Sequence, residues 1–220
     1  MQEIPAVLLP PACFPDAEFF AWLLHAPQVS IEMQESYPKQ TCRNRYRIAT
    51  AQGITVLSVP VNKPQGNNSP FKIIELDNST TWNITHWRTI ESAYSKSPFF
   101  IYYRDHFEQL FLNPPALLKD LNISILNLCL KLIGLKKEFD YTQTFENKPV
   151  NYYDMRGLIM PKKQVQHVYQ IKTFKPYIQV FSDRNEFLEN LSILDLLFNL
   201  GPETIVYLQN HKPGQSTPVA

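Results

Sequence analysis

The chain has 220 residues, of which 44% are hydrophobic and 19% charged, and this composition excludes an intrinsically disordered or strongly acidic protein. Its 21 Lys and Arg residues against 20 Asp and Glu residues give a formal net charge of +1, which disfavours bulk electrostatic binding to nucleic acid or to an anionic membrane. Six Gly against 18 Pro disfavour glycine-rich phosphate loops and favour rigid turns.

Strands are predicted from short apolar runs at 6–9, 28–31, 46–49, 55–61, 72–76 and 138–143. A helix predicted at 16–25 lies between the first two runs, and a strand–helix–strand unit of this size makes those two strands parallel. The Gln52-Gly53 turn between the next two runs predicts an antiparallel hairpin. Residues 62–70 are predicted to be a loop.

Helical periodicity dominates the rest of the chain, with helices predicted at 80–96, 98–112, 116–134, 191–199 and 203–209. Gly134 and Gly201-Pro202 are the expected stops of two of them. Residues 144–178 give no clear pattern. The sequence therefore predicts an α/β protein with a mixed, partly parallel sheet, flanking helices and a helical C-terminal half. We expect a single domain over 1–211 and a flexible tail over 212–220.

The three cysteines, Cys13, Cys42 and Cys129, are odd in number and contain no CxxC pair. They predict free thiols and a reducing compartment. The N-terminus lacks a basic segment before its apolar run, and no apolar run reaches about 18 residues. We therefore expect a cytoplasmic protein with no membrane span.

The densest polar cluster lies at 37–47 and contains Lys39, Arg43, Arg45 and Arg47. Arginine side chains bind carboxylate or phosphate through two parallel hydrogen bonds, so the cluster is a candidate anion site. The alternation of the three arginines is equally typical of the solvated face of a strand. The sequence alone leaves both interpretations open.

The helix at 80–96 places six side chains on one arc, which predicts its buried face: Trp82, His86, Trp87, Ile90, Ala93 and Tyr94. Asn83 shares this arc. An imidazole on such a face is either a core histidine with a hydrogen-bond partner or a catalytic base. No second His and no carboxylate stands at zinc-like spacing from His86, so no metal is predicted.

The segment 190–195 contains Asn190, Ser192 and Asp195 at the start of a predicted helix. Ser192 followed by Asp195 is typical of a helix cap. The alternative is a helix N-terminus that faces a ligand.

The chain resembles the WbqC-like protein family in four blocks spread over roughly residues 6–209. The strongest are IEMQESYPKQTCRNRYRI followed by LSVPV, then LDNSTTWNITHWRTIESAYSKSPFFIYYRDHFEQLF, then FLENLSILDLLFNLGPE; YDMRGLIMPKK is weaker. The chain departs from the family after the first strand, where many members have His-Gln-Pro and this chain has Leu9-Pro10-Pro11. It departs again after the second strand, where an Asp-Asp pair is replaced within Glu32-Met33-Gln34-Glu35.

The resemblance implies a role in bacterial O-antigen or related surface-polysaccharide synthesis, with glycyl or aminoacyl transfer to a sugar as a suggested reaction. The candidate substrate-binding residues that it implies are Lys39, Gln40, Asn44, Arg45, Asp77, Trp82, Tyr94, Asn190 and Ser192, with His86 and Asp195 as catalytic candidates.

For a transferase we expect His86 to act as general base on an acceptor hydroxyl. Arg45 and Lys39 would hold an anionic donor or stabilise an oxyanion. The predicted partner is a small molecule: a sugar, a nucleotide-sugar or an activated amino acid. We predict no cofactor, no metal and no nucleic acid. The alternative function is a non-catalytic sugar- or nucleotide-sugar-binding or scaffold protein of the same pathway.

Overall fold

The computed structural model describes residues 3–160 and 167–214. Its centre is a sheet of four short strands: β1 (Val7–Leu9), β2 (Val29–Ile31), β7 (Asp140–Tyr141) and β8 (Tyr153–Asp154). The strands stand in the order β7-β2-β1-β8, and each neighbouring pair is parallel. This confirms the predicted parallel pairing of the first two strands, in which Val7 lies opposite Val29.

Helix α1 (Ala17–His25) connects β1 to β2. Its apolar side chains pack on the sheet, and Trp22 is completely buried against the ring of Tyr153 at 5.6 Å. Because a parallel strand pair needs a crossover connection, α1 begins at the same edge of the sheet at which β1 ends.

Two antiparallel ribbons stand beside this sheet. Strands β3 (Arg45–Thr50) and β4 (Gly53–Ser58) form the predicted hairpin, and Gly53 takes the positive φ that its turn requires. Strands β5 (Val61–Asn62) and β6 (Glu75–Leu76) form the second ribbon. The strand predicted at 72–76 is therefore wrong in its first half, because residues 71–73 form a 3-10 turn before β6.

The remaining helices are α2 (Trp82–Tyr94), α3 (Phe100–Leu112), α4 (Leu118–Ile133), α5 (Ile193–Leu200) and α6 (Thr204–Gln209). Helix α3 packs against α2, α4 and α5, and α1 packs against α5 and α6. Gly134 ends α4 in the left-handed conformation, as predicted. The predicted α/β class, with a partly parallel sheet, flanking helices and a helical C-terminal region, is confirmed.

The predicted tail at 212–220 lies largely outside the described residues. Within the described ranges, no helix combines the length and the apolarity needed to cross a membrane.

Candidate functional site: a polar cleft at the carboxyl edge of the sheet

The chain order of the strands singles out one place at the sheet edge. From β1 the chain adds β2 and then β7 on one side, and it returns to place β8 on the other side of β1. In open parallel sheets, ligands bind outside the carboxyl ends of the strands at such a reversal. The first turn of α1 and the residues after β8 meet there, so this edge is where a site is expected.

A cleft of about 430 Å³ opens at this position. Its walls come from α1, β3, the residues after β8 and two irregular segments: Glu18, Arg47, Leu158, His167, Gln170, Ile171, Lys172, Phe174, Glu189 and Asn190. Two acidic, two basic and two neutral polar side chains therefore share one cavity with a histidine. This mixture suits a small polar ligand that carries charge.

The first turn of α1 is held by Asn190. The Asn190 side-chain oxygen accepts a hydrogen bond from the Glu18 backbone N–H at 2.9 Å, while Asp16 caps the helix by accepting from the Phe19 N–H at 3.1 Å. Asn190 itself adopts a positive φ of 51°, a conformation that asparagine tolerates better than most residues. The helix end is therefore satisfied by protein groups, and its side chains define one wall of the cleft.

Asp16 is a buried carboxyl with an altered acidity. Burial raises the pKa of Asp16 to about 7, and the nearby Glu18 carboxylate adds to the rise. The Arg47 guanidinium, 3.6 Å away, opposes it. Asp16 is consequently protonated in a large fraction of molecules near neutral pH.

Arg47 projects from β3 toward the same place. One of its terminal nitrogens donates to the Asn190 carbonyl oxygen at 2.9 Å, whereas its buried Nε has no hydrogen-bond partner among the described residues. Half-buried arginines with free donors bind carboxylate and phosphate groups well. Of the 37–47 arginines, Arg47 is the one that lines the cleft.

Arg43 behaves differently from its neighbours. It is 2% exposed and forms a two-pronged ion pair with Glu35, with N–O distances of 2.6 and 2.9 Å. Arg45 is half-buried and, with Ser192, lines a narrow cavity of about 10 Å³. Arg45 and Arg47 share the more exposed face of β3, while Arg43 lies in the core.

Four other predicted residues, three from 37–47 and one just before α2, lie outside the cleft lining. Lys39 and Gln40 are exposed, and Gln40 has a positive φ of 59°. The buried Asn44 donates to the Val59 carbonyl oxygen at 2.8 Å. Asp77 accepts hydrogen bonds from both the backbone and the hydroxyl of Ser79 just before α2.

The buried face of α2 is confirmed for six side chains of the predicted arc, whereas Asn83, which shares the arc, is only half-buried. On it, His86 is 5% exposed, with Nδ1 3.0 Å from the Tyr46 hydroxyl and its ring packed edge-on to Trp82. Burial lowers the pKa of His86 to about 4, opposed by a hydrogen bond to the Ser58 backbone. His86 is thus neutral at physiological pH, and it lies outside the cleft lining.

Asp195 is fully buried and receives hydrogen bonds from three side chains: Tyr94 at 3.0 Å, Gln179 at 2.8 Å and Tyr177. Burial raises its pKa, and these hydrogen bonds oppose the rise. Ser192 caps α5 as the sequence indicates, with its hydroxyl accepting from the Leu194 N–H at 3.4 Å. The Asp195 carboxylate, however, binds these tyrosines and the glutamine, so the residues form a buried network around α5.

The structure thus separates the predicted residues of α2 from Asn190. Trp82, His86, Tyr94 and Asp195 lie in the interior between α2, β3 and α5, and Asn190 joins the cleft. The sequence interpretation did not single out Asp16, Glu18 or His167. Among residues 3–160 and 167–214, no group of three or more His, Cys, Asp or Glu side chains is arranged to hold a metal ion.

Comparison with known proteins identifies the chain's relatives. A model described as the WbqC-like protein family matches residues 11–160. The chain belongs to the WbqC-like protein family. It is also 25% identical to the Mycobacterium tuberculosis (strain ATCC 25618 / H37Rv) protein named Uncharacterized protein Rv1507c, over 197 residues that cover 79% of this chain and 84% of that relative. No solved structure matches it.

The two departures from the WbqC-like pattern have structural consequences. Leu9, where many family members have His, is completely buried at the end of β1. Glu32, in the segment that replaces the Asp-Asp pair, is also buried; it lies 3.1 Å from Arg156 and accepts a hydrogen bond from Thr142 at 2.8 Å. This ion pair and this hydrogen bond join the residues that follow β2, β7 and β8.

Proposed function

We propose that this WbqC-like protein is a transferase of bacterial surface-polysaccharide synthesis that moves an acyl or aminoacyl group onto a sugar. The family resemblance supports the pathway. The cleft at the carboxyl edge of the sheet supports a small-molecule reaction and gives it a location.

The observation that carries the proposal is the position of Arg47 in that cleft. The Arg47 guanidinium, whose Nε has no partner within 3–160 and 167–214, and Lys172 of the same lining offer positive charge to the phosphate of a nucleotide-sugar. The Asn190 amide and the carboxylates of Glu18 and Glu189 suit hydroxyl groups. The mixed lining therefore fits a sugar that is attached to an anionic group. In this proposal the chemistry occurs in the cleft, and His86 and Asp195 support the fold around it.

Binding is tested by isothermal titration calorimetry with UDP-glucose and UDP-glucosamine as probes. Turnover is tested by mass spectrometry after incubation of each probe with S-glycyl-N-acetylcysteamine, a small aminoacyl thioester. Arg47→Ala is expected to weaken probe binding at least tenfold. Arg88→Ala, an exposed arginine on α2, is the matched control and should bind as the wild-type protein does.

The outcomes separate the two function classes. Probe binding with formation of a glycylated nucleotide-sugar supports the transferase. If the probe binds in an Arg47-dependent way but no product forms from this thioester donor, the non-catalytic sugar-binding alternative is favoured. Equal affinity in the Arg47→Ala and Arg88→Ala proteins would overturn the assignment of the cleft.

A further inference from the structure

We infer that His167 and Glu18 form the proton-transfer pair of the cleft, with His167 as the general base and Glu18 as its positioning residue. This inference rests on the proposed transfer reaction, and it names the group that activates the acceptor hydroxyl.

The two side chains face each other across the cleft wall. Nε2 of His167 lies 3.7 Å from Oε1 of Glu18, and the side chains are only 8% and 10% exposed. Oε1 of Glu18 and Nδ1 of His167 are both buried without a hydrogen-bond partner among the described residues. Buried polar atoms are normally satisfied, so an unsatisfied atom on each of these two neighbouring side chains marks a place where a ligand or a proton is accommodated.

The surroundings fix which atom takes the proton. A hydrogen on Nε2 points at the Glu18 carboxylate, and Nδ1, which is closed to solvent before a substrate binds, then keeps its lone pair for the substrate proton. The distance of 3.7 Å exceeds a hydrogen bond, but such contacts commonly shorten when the substrate binds. The Asn190 amide nitrogen, 3.5 Å from Oε2, helps to hold the carboxylate in place.

Asp16 keeps the local charge low enough for this pair. Its pKa of about 7 means that much of the Asp16 population is neutral when the Glu18 carboxylate is opposite His167. A second full negative charge beside Glu18 would be costly in a buried site. Arg47, on the other side of Asp16, is left to face the anionic part of the substrate.

The proposed step transfers the acyl group of a thioester donor to the acceptor hydroxyl. The acceptor hydroxyl loses its proton to Nδ1 of His167 while its oxygen forms a bond to the acyl carbon of a thioester donor. The carbon–sulfur bond then breaks, and the thiolate leaving group takes the proton from His167. Glu18 stabilises the imidazolium that exists between the two transfers.

The test uses the full-length protein and the variants His167→Asn, Glu18→Gln and His106→Asn, the last an exposed histidine on α3 as the matched control. UDP-glucosamine affinity is expected to stay within about twofold of wild type in His167→Asn and His106→Asn. It is expected to fall further in Glu18→Gln, because the Glu18 carboxylate belongs to the cleft lining that binds sugar hydroxyl groups. Turnover with the glycyl thioester is expected to fall about 100-fold to 10,000-fold in His167→Asn, to fall less in Glu18→Gln and to be unchanged in His106→Asn.

Absence of turnover in the wild-type protein would count against the proposed function. A second measurement tests the His167–Glu18 pair in that case. ¹⁵N NMR of the imidazole nitrogens reports which one carries the hydrogen. We expect Nε2–H in the wild type and a mixture of tautomers in Glu18→Gln. A dominant Nδ1–H tautomer in the wild type, or full turnover in His167→Asn, would overturn the pair.

Discussion

The hydroxyl of Tyr94 donates a hydrogen bond to Oδ1 of Asp195 at 3.0 Å, although the two residues are 101 positions apart. The same hydroxyl accepts the backbone N–H of Ala49 at 3.1 Å. One side-chain oxygen thus links α2, β3 and α5. Because all three groups are buried, loss of this oxygen removes the hydrogen bond to Oδ1 of Asp195 and the hydrogen bond from the Ala49 N–H, while Oδ2 of Asp195 keeps its bonds to Gln179 and Tyr177.

Tyr94→Phe is therefore expected to lower the free energy of unfolding by about 1–3 kcal/mol, the cost of unsatisfied buried polar groups. Urea-induced unfolding followed by circular dichroism measures the change. Tyr102→Phe on α3, where the side chain is 71% exposed, is the control and should stay within about 0.5 kcal/mol of wild type. Equal stability of the two variants would show that the network contributes nothing.

His86 predicts a pH dependence of stability with a definite sign. Its pKa is about 4 in the folded protein and about 6.5 when unfolded, so between these values the unfolded state binds more protons. The stability associated with neutral His86 is complete above pH 6.5 and is lost as the pH falls toward 4, on the order of 3 kcal/mol in total. In His86→Asn this part of the pH dependence should disappear, as measured by urea unfolding at several pH values, whereas His106→Asn should keep it. A His86→Asn profile parallel to wild type would contradict the assignment.

Asp16 predicts a pH dependence of stability that has the opposite sign to that of His86. Its folded pKa of about 7 lies above the unfolded value, so its contribution to stability is complete below about pH 3.9 and is lost as the pH rises through 7. Asn retains the ability to cap α1 and carries no charge. We expect Asp16→Asn to raise the melting temperature at pH 8 more than at pH 5, as measured by differential scanning calorimetry. A gain that is equal at both pH values would contradict the raised pKa.

Arg43 and Arg45 are two residues apart and should respond differently to alanine. Arg43→Ala leaves the buried Glu35 carboxylate unpaired, which typically costs about 3–5 kcal/mol. Arg45 is half-buried and its Nε has no hydrogen-bond partner among the described residues, so Arg45→Ala should change the free energy of unfolding by less than about 1 kcal/mol. Chemical denaturation of both variants measures the two free energies of unfolding. A large decrease in Arg45→Ala would show that Arg45 is a structural residue.

The thiols give a further prediction. Cys13, Cys42 and Cys129 are buried and free, and burial raises the pKa of each thiol. Ellman's reagent should therefore react slowly with the native protein and titrate three thiols after denaturation without reductant. A count of one in the denatured protein would reveal a disulfide.

The sequence was sufficient to predict features that depend on interactions within a few residues, such as the buried face of a helix and the ends of helices. The helical period of α2 was sufficient to identify its buried face, including His86, because the pattern and the structure share one repeat. The cap at Ser192 and the stop at Gly134 are also encoded within a few residues.

Long-range placement was not predictable in the same way. Strand β8 has two residues, and its pairing with β1 depends on a partner at the other end of the fold. The contact between Glu18 and His167 likewise joins a helix start to a segment with no local pattern. The one available signal for the cleft was the acidic start of α1 after the first strand, since helix starts at that edge commonly face ligands.

The late arrival of β8 has a consequence for synthesis of the protein on the ribosome. Val7 and Leu8 pair with Tyr153 and Asp154, so β1 has an open edge for as long as the nascent chain is shorter than this. An unpaired apolar edge is a template for association with other chains. The nascent chain is therefore prone to aggregate during translation until β8 has emerged from the ribosome. Fragments that end before residue 153 should aggregate for the same reason.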